Sequence, residues 1–276
     1  MSALTVYYNP TAGAGRAQRW WLRVQAWLNA RQMAYQLWDD AALPEPDSDI
    51  LILGGDGTFN HLLNRLKHPE DYRYLLLSAG TSNSLYSQIS PKTSIADKLM
   101  RYSNCPAFRS IDLGQVTVDG KKTYRFVNEA SVGFAAAIAH RMDTANTKRH
   151  FNQLHLNELG YIATAFGCWR SEVPYMLSLC NNRRISGNLF PCPKADLSDG
   201  LIDVYELRCP RWLLPYELTR LVGAQTERVS KYVHYLHTAD ETWTFDQALP
   251  VEIDGNPLPA TRSLRLSVYP QQIRVM

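Results

Sequence analysis

The residues best suited to chemistry form one short glycine-rich stretch around a single carboxylate: Gly54, Gly55, Asp56, Gly57 and Thr58, with Asn60 just beyond them. Glycines leave room for a phosphate to reach backbone amides near a helix N-terminus. A carboxylate there can hold magnesium beside the phosphate or take a proton from a hydroxyl. The alternative is a tight turn in which Asp56 tolerates unusual backbone angles. Because a turn needs one glycine rather than three followed by a threonine, the pattern favours phosphate binding.

The flanking residues predict the elements that position this stretch. Residues 50–53 are a short apolar run typical of a buried strand, and apolar residues recur at helical spacing from Phe59 to Leu66. A similar unit lies upstream, with a strand-like segment at 4–8, a loop that begins at Asn9, and a helix rich in tryptophan. The N-terminal part therefore alternates strands and helices.

Three segments resemble motifs of the diacylglycerol kinase catalytic-domain family, which includes bacterial lipid kinases and sphingosine and ceramide kinases. Residues 54–60 resemble its glycine-rich signature, which NAD kinases and phosphofructokinases share in part, and Asn9-Pro10 resembles its first motif. The run from Gly80 to Ser84 resembles a Gly-Thr-x-Asn-Asp motif, with Ser84 in place of the Asp. The resemblance implies ATP contacts from these loops: Asn9, Gly54, Gly55, Asp56, Gly57, Thr58, Asn60, Thr81 and Asn83.

A change of domain is predicted near residues 111–114, where β-type segments begin. The expected domains are 1–112, with 263–276 returning to it, and 113–262. Asp119-Gly120 predicts a hairpin turn, and further strands are predicted at 175–180, 184–185 and 201–207. Residues 141–155 are polar and basic and predict a surface segment, before a helix near 159–169.

A metal-binding segment is implied by the resemblance at residues 195–204. The family has a similar Leu-x-Asp-Gly-x-Leu-Asp-Val run that holds a structural magnesium ion. Carried over by position, the ligands are the Asp199 carboxylate and the carbonyls of Asp196 and Leu201. Oxygen ligands on a loop suit a hard cation. The alternative is an Asp-Gly turn without metal.

The expected catalytic residues are Asp56 and the position held by Asn256. Residues 251–257 resemble a Val-x-Val-Asp-Gly-Glu segment of the family whose Glu is proposed as the base, and here that residue is Asn256. His61 and Ser84 replace two further acidic residues. A neutral amide cannot accept a proton as a carboxylate does. Phosphoryl transfer, however, depends mainly on positioning and charge neutralisation, so Asp56 could support slower transfer by itself.

Composition narrows the cellular setting. The chain has 276 residues, 45% of them hydrophobic, which is ample for two cores, and its net charge of +3 does not indicate nucleic-acid binding. Five scattered cysteines favour a reduced, cytoplasmic protein. No signal peptide or membrane span is predicted, so a lipid acceptor would be met peripherally at a membrane surface. A homodimer stays an open expectation.

The motifs together predict an N-terminal α/β sandwich, similar to phosphofructokinases and NAD kinases, followed by a β-sandwich. The predicted activity is transfer of the γ-phosphoryl group of ATP, with Mg2+, to a hydroxyl of a diacylglycerol- or sphingoid-type lipid entering a cleft between the two. One alternative is a nucleotide or lipid sensor that kept the fold and lost its carboxylates. A NAD kinase-like enzyme is the third.

Overall fold

The computed structural model describes residues 4–80, 83–90, 93–144, 164–165, 167–169, 173–185, 189–222 and 230–276. Two compact units divide the chain. The first comprises Met1–Ile111 and Gln271–Met276, and the second comprises Asp112–Pro270. No helix among the described residues is long and apolar enough to cross a membrane.

The first unit alternates strands and helices as its hydrophobic pattern predicted. Its elements are β1 (Leu4–Tyr8), α1 (Ala12–Ala30), β2 (Tyr35–Leu37), β3 (Asp49–Gly54), α2 (Asp56–Arg65), β4 (Arg73–Ser78), α3 (Ser84–Ile89) and α4 (Ile95–Asn104). The strands lie parallel in the order β2-β1-β3-β4, and Arg274 and Val275, at the end of the chain, pair in parallel with β4. Continuously apolar strands such as β3 are expected where helices cover both faces of a parallel sheet.

The core of the first unit lies between this sheet and its helices. Helix α1 buries Ala17, Trp21, Val24 and Leu28, which recur at helical spacing, against apolar residues of β1, β3 and β4. The Trp21 ring stacks on Tyr8 with ring centroids 5.2 Å apart. Helix α2 in turn buries Phe59, Leu62 and Leu63. These two helices follow the strands that carry the glycine-rich loops, so their packing fixes the loops.

The second unit is mostly antiparallel sheet. Its elements are β5 (Arg109–Val118, which begins in the first unit), β6 (Lys122–Phe126), β7 (Glu129–Gly133), α5 (Phe134–Thr144), β8 (Tyr175–Cys180), β9 (Ile202–Arg208), α6 (Leu214–Thr219), β10 (Val233–Thr238), β11 (Asp240–Ile253) and β12 (Asn256–Val275, whose last residues belong to the first unit). The sheet order is β10-β9-β8-β7-β11-β12, and the β5–β6 hairpin joins it through β12. Apolar side chains of β7, β8, β9, β11 and β12 share one core.

Several sequence predictions for this unit can be checked locally. The hairpin at Asp119-Gly120 is confirmed, with both residues at positive φ (48° and 64°) between the paired residues Val118 and Lys122. The strand predicted at 184–185 is wrong, because those residues form no strand in the structure. The surface segment predicted from residue 141 begins inside helix α5, which ends at Thr144. Most of the helix predicted at 159–169 lies outside the described residues.

Candidate active site

Three loops of the first unit meet at the carboxyl edge of its parallel sheet. Helix α1 carries the chain from β1 to β2 on one side, whereas α2 carries it from β3 to β4 on the other. The point between β1 and β3 is therefore a topological switch point, where open α/β sheets bind their ligands. The Asn9 amide donates to the Leu53 carbonyl (3.3 Å), and the Gly54 carbonyl accepts from the amides of Ala79 (2.7 Å) and Gly80 (3.0 Å).

The glycines of these loops allow the protein backbone to approach itself closely. A Cβ added at Gly55 would lie 2.9 Å from the Gly80 Cα, and one added at Gly54 would overlap the Thr58 side chain. Gly13, at φ 59°, leaves no room for a Cβ beside the Ala79 carbonyl. The packing of the loops is thus sufficient to explain why glycine stands at positions 13, 54 and 55. Their presence is weaker evidence for a phosphate than the sequence suggested, and phosphate binding stays a prediction.

Asp56 is the first residue of α2, and its carboxylate is held by helix α3. Oδ2 accepts from the Ser84 amide (2.7 Å) and Oδ1 accepts from the Leu85 amide (3.2 Å). The side chain is partly exposed. An ionised carboxylate has about four acceptor positions. The two amides therefore fix the orientation of the Asp56 carboxylate, which stays partly exposed.

Tyr86 and Lys98 are buried in the same unit. Burial raises the pKa of the Tyr86 phenol well above its usual value, and the Asp56 charge raises it further. The Lys98 ammonium donates to the Leu76 carbonyl (2.9 Å) and lies 5.9 Å from the centroid of the Tyr86 ring. Burial lowers the pKa of Lys98 to about 8. The sequence drew attention to neither residue, since nothing in its pattern distinguishes a buried lysine on an amphipathic helix from an exposed one.

The other predicted nucleotide residues serve the loops in different ways. Asn83 has a left-handed backbone (φ 49°), and its amide group accepts from the Gly80 amide (3.0 Å) and donates to the Gly80 carbonyl (2.8 Å). The side-chain oxygen of Asn9 accepts from the amide and hydroxyl of Thr11. Thr58 is buried, and its hydroxyl accepts from the Gly55 amide at 3.4 Å.

Asn60 and Thr81 differ from the other predicted nucleotide-binding residues. Asn60 is only 2% exposed, and its side-chain oxygen accepts from the Asn64 side-chain amide at 3.3 Å, so its side chain is enclosed by the protein. Thr81 lies outside the described residues. His61 replaces an acidic residue of the family, and its imidazole is a further candidate to carry a proton. It is exposed on α2, and its Nδ1 lies 2.7 Å from the Tyr7 hydroxyl. Ser84 is buried with its amide on Asp56, so an acidic side chain at this position would stand beside that carboxylate.

In the second unit, the predicted metal loop is tied to strand β5. The buried Asp112 carboxylate accepts from the Gly200 amide (2.7 Å), and the Asp112 amide donates to the Leu197 carbonyl (2.7 Å). Asp199 is exposed, and its carboxylate accepts from the Leu201 amide (3.0 Å). Within the described residues, no hydrogen bond ends on the carbonyl oxygen of Asp196 or Leu201. The loop therefore offers a carboxylate and two carbonyls, which are donors that suit magnesium.

No cluster of three or more metal-ligating side chains occurs among the described residues. A site at this loop would consequently depend on the backbone carbonyls. The pKa of the nearby Asp203 carboxylate is raised, mainly by burial, and the His237 imidazole 3.0 Å away lowers it in part. The negative charges of Asp199 and Asp196 in the loop raise the pKa of Asp203 further. Negative charge is thus concentrated at this loop.

Sequence reasoning missed the carboxylates that hold the turn before Asn256. Asp254, 7% exposed, accepts from three backbone amides, those of Val127 (3.1 Å), Asn128 (2.9 Å) and Glu129 (3.0 Å). Buried Glu252 accepts from the Ser131 hydroxyl (2.7 Å) and the Gly255 amide (2.7 Å). Asn256 begins β12, opposite Ile253. The Asp-Gly pair between strand-like segments was the available signal for this hairpin.

The sequence of this chain is similar to that of a class of kinases. The family model of the diacylglycerol kinase catalytic domain matches residues 3–116, in agreement with the resemblance that the motifs of this segment predicted. A Pseudomonas aeruginosa protein named "Probable lipid kinase YegS-like" is 28% identical to this chain over 275 residues, which cover 89% of this chain and 84% of the relative. A Pseudomonas fluorescens protein of the same name is also 28% identical, covering 92% and 85%.

A solved structure agrees on the fold. The crystal structure of a diacylglycerol kinase from Bacillus anthracis aligns with a TM-score of 0.63 at 13% identity and covers 99% of this chain and 96% of that one. The likeness establishes a mixed α/β fold of that type. At this identity it carries nothing about substrates.

Proposed function

We propose that this protein transfers the γ-phosphoryl group of ATP to a hydroxyl group of a diacylglycerol- or sphingoid-type lipid. The observation that carries the proposal is the meeting of three loops at the switch point of the first unit, with the partly exposed Asp56 carboxylate held in place by two amides. The family match and the lipid kinase names of the relatives favour a lipid acceptor over NAD.

Asp56 is the residue proposed to carry the chemistry. Phosphoryl transfer has a loose transition state, so catalysis needs the reactants to be positioned and their charge to be neutralised. The start of α2 suits a phosphate group, because backbone amides point outward at a helix N-terminus. The carboxylate beside them takes the proton of the acceptor hydroxyl, or holds the magnesium that accompanies ATP, because Asn256 cannot act as a base. Magnesium neutralises phosphate charge when it is bound.

The test is a radiolabelled ATP assay with magnesium against a panel of diacylglycerols, sphingoid bases and ceramides. The parent protein should phosphorylate at least one class. Asp56→Asn should lower its rate by about a hundredfold or more, since it removes the charge beside the phosphates. The matched control is Asp246→Asn, an exposed carboxylate on β11 that should leave the rate unchanged.

A sensor without catalytic activity is the second candidate, and it is favoured by one observation: the amide at Asn256 stands where the family resemblance implies a base. Binding of ATP, measured by calorimetry, separates the two. If ATP binds but neither the parent nor Asn256→Glu phosphorylates any lipid in the panel, the sensor is the better account.

A second proposal concerns magnesium at the 196–201 loop. Asp199 would hold it with the carbonyls of Asp196 and Leu201, and the ion would order the loop on the second unit. A ligand that binds only the folded state stabilises it by mass action, by about 2.7 kcal/mol at a hundred times Kd. The melting temperature of the parent should therefore rise with magnesium, and that of Asp199→Ala should not. If magnesium does not change the melting temperature of the parent protein, the proposed metal site is wrong. The control Asp246→Ala should show the same rise in melting temperature as the parent.

A further inference from the structure

Helix α1 carries a stripe of arginine and tryptophan that the proposed chemistry does not use. Positions spaced i, i+4, i+7, i+11 and i+15 share one side of a helix. In and just after α1 these positions alternate in type: Arg16, Trp20, Arg23, Trp27 and Arg31. Arg19 lies beside them, one turn before Arg23. These six residues are called the Arg/Trp stripe below, and it runs along the edge of the face that α1 buries.

Two of the four guanidinium groups of the stripe lie over its indole rings. The guanidinium carbon of Arg23 lies 4.9 Å from the Trp20 ring centroid, and that of Arg31 lies 4.2 Å from the Trp27 centroid. Both tryptophans are partly exposed, whereas Arg19, Arg23 and Arg31 are exposed. Leu22, on the outer side of the same helix, is 60% exposed. The solvent-facing side of α1 therefore presents the charges of Arg19 and Arg23 next to the apolar side chain of Leu22.

The charge of this segment is entirely positive. Between Asn9 and Trp38 the sequence has four arginines and no aspartate or glutamate. Within the part of the chain that the structure describes, none of the four arginines forms an ion pair. Elsewhere in this unit some cations are paired, as Arg73 is with Asp49 (2.6 Å) and Arg274 with Asp47 (3.0 Å). The stripe thus has the charge to attract an extended anionic surface.

We propose that the Arg/Trp stripe docks the protein on the surface of a bilayer that contains anionic phospholipid. Arginine attracts anionic headgroups, and tryptophan prefers the boundary between headgroups and acyl chains. An exposed leucine gains from insertion at that boundary but gains nothing from the phosphates of a nucleic acid. The inference rests on the proposed function, because a lipid kinase must reach an acceptor that resides in a bilayer.

The experiment is co-sedimentation, without ATP, with vesicles of phosphatidylcholine alone and with added phosphatidylglycerol. The parent should sediment with anionic vesicles, release at high salt as exposed charges are screened, and ignore neutral vesicles. Arg19→Glu with Arg23→Glu should weaken binding about tenfold or more, since each basic residue near the surface contributes roughly fivefold. The control Lys121→Glu with Lys122→Glu makes the same charge change at the exposed β5–β6 hairpin tip and should bind as the parent does.

Insertion of the helix is measured separately. Leu22→Cys, made in a Cys105→Ser background because Cys105 is the exposed cysteine, carries an environment-sensitive fluorophore. Its emission should shift to the blue with anionic vesicles only. Equal binding by the parent and the arginine double variant, or no shift from position 22, would overturn the proposal. Binding of a single-stranded oligonucleotide through Arg19 and Arg23, with no binding to vesicles, would assign the stripe to nucleic acid instead.

Failure of docking and failure of the proposed function give different results. Vesicle binding needs no turnover, so a parent that sediments but phosphorylates no lipid disproves only the kinase. An active parent can be assayed with lipid dispersed in detergent and with lipid in anionic vesicles. The arginine double variant should lose activity only on vesicles. Equal activity of the variant and the parent on vesicles would be consistent with the proposed kinase activity but would overturn the proposal that the Arg/Trp stripe docks on the bilayer.

Discussion

Asp56 in the first unit and Asp254 in the second, each followed by a glycine, place their carboxylates on backbone amides of a distant segment. Asp56 accepts two amides, from Ser84 and Leu85, and stays partly exposed. Asp254 accepts three, from residues 127–129, and is 7% exposed. The residue types are the same, but the second carboxylate is buried among its partners and the first stays partly exposed. The difference separates a carboxylate that holds the fold from one that can also act on a ligand.

The backbone supports the same distinction. Asp254 and Gly255 both have positive φ (45° and 81°) between the paired residues Ile253 and Asn256, as a two-residue hairpin turn requires. Asp56 has the ordinary backbone of a helix start, after Gly55 at φ −116°. The Asp-Gly pair at 254–255 is thus required by the turn itself. Asp56 is not required by a turn of this kind, and the structural role of its carboxylate is to accept the first amides of α3.

The largest expected effect is on Asp254. Asp254→Ala leaves three buried amides without an acceptor and puts alanine at positive φ, so the free energy of unfolding should fall by about 3–5 kcal/mol. Asp254→Asn keeps one acceptor and tolerates the turn, and should cost about 1–2 kcal/mol. Urea unfolding measures both, with Asp246→Ala as the exposed control. Equal small effects for all three variants would contradict the structural role of Asp254.

The next largest effect on the free energy of unfolding is expected at Lys98, where removal of the side-chain charge should stabilise the protein. Its pKa is lowered by burial from the ordinary 10.5 to about 8, so the unfolded chain binds more protons than the native one between these values. The free energy of unfolding of the protein therefore rises with pH between pH 8 and 10.5. Below pH 8 Lys98 is charged in both states, and the full cost of burying its charge lowers the stability of the folded protein.

Lys98→Met should stabilise the protein by about 1–2 kcal/mol at pH 7, because it removes the buried charge but also the donor to the Leu76 carbonyl. It should also abolish the rise in stability between pH 8 and 10.5. Thermal unfolding at several pH values measures both effects. Lys121→Met, at the exposed hairpin tip, should change neither. A destabilised Lys98→Met protein with an unchanged pH profile would show that the ammonium is stabilising where it lies.

A smaller effect is expected at Asn256, which directly follows the Asp254 turn. If only a base is missing, Asn256→Glu should raise the rate of lipid phosphorylation about tenfold, the lower part of what a positioned base contributes. Asn256→Gln has the same length without the charge and should not raise it. A fast parent slowed by Asn256→Glu would mean that Asp56 or His61 handles the proton.

The smallest effect completes the comparison of the two carboxylates. Asp56→Asn should lower the free energy of unfolding by only about 1 kcal/mol, the usual contribution of a side chain that caps a helix, although it removes most of the activity. A loss of stability as large as that of Asp254→Ala would make Asp56 a structural residue, and its loss of activity would then carry no mechanistic weight.

The sequence by itself determined the resemblance to the diacylglycerol kinase family, the strand–loop–helix units β1-α1 and β3-α2, and the hairpin at Asp119-Gly120. These features depend on local patterns: apolar periodicity, glycine at loop positions, and a two-residue turn signal. It also identified Asp56 as the carboxylate of the glycine-rich loop. The strand at 184–185 was wrong because a short run of mixed polarity has no period that distinguishes a strand from a loop.

Only the tertiary structure decided which partners these residues have. Asp56 meets amides 28 and 29 residues away, Asp254 meets amides more than 120 residues away, and Gly55 faces Gly80 across two loops. It also decided that Lys98 and Asn60 are buried, although both lie on helices with exposed neighbours. The physical reason is that hydrogen bonding, burial and close backbone approach depend on which segments the fold brings together, whereas a linear pattern reports only the faces of each element.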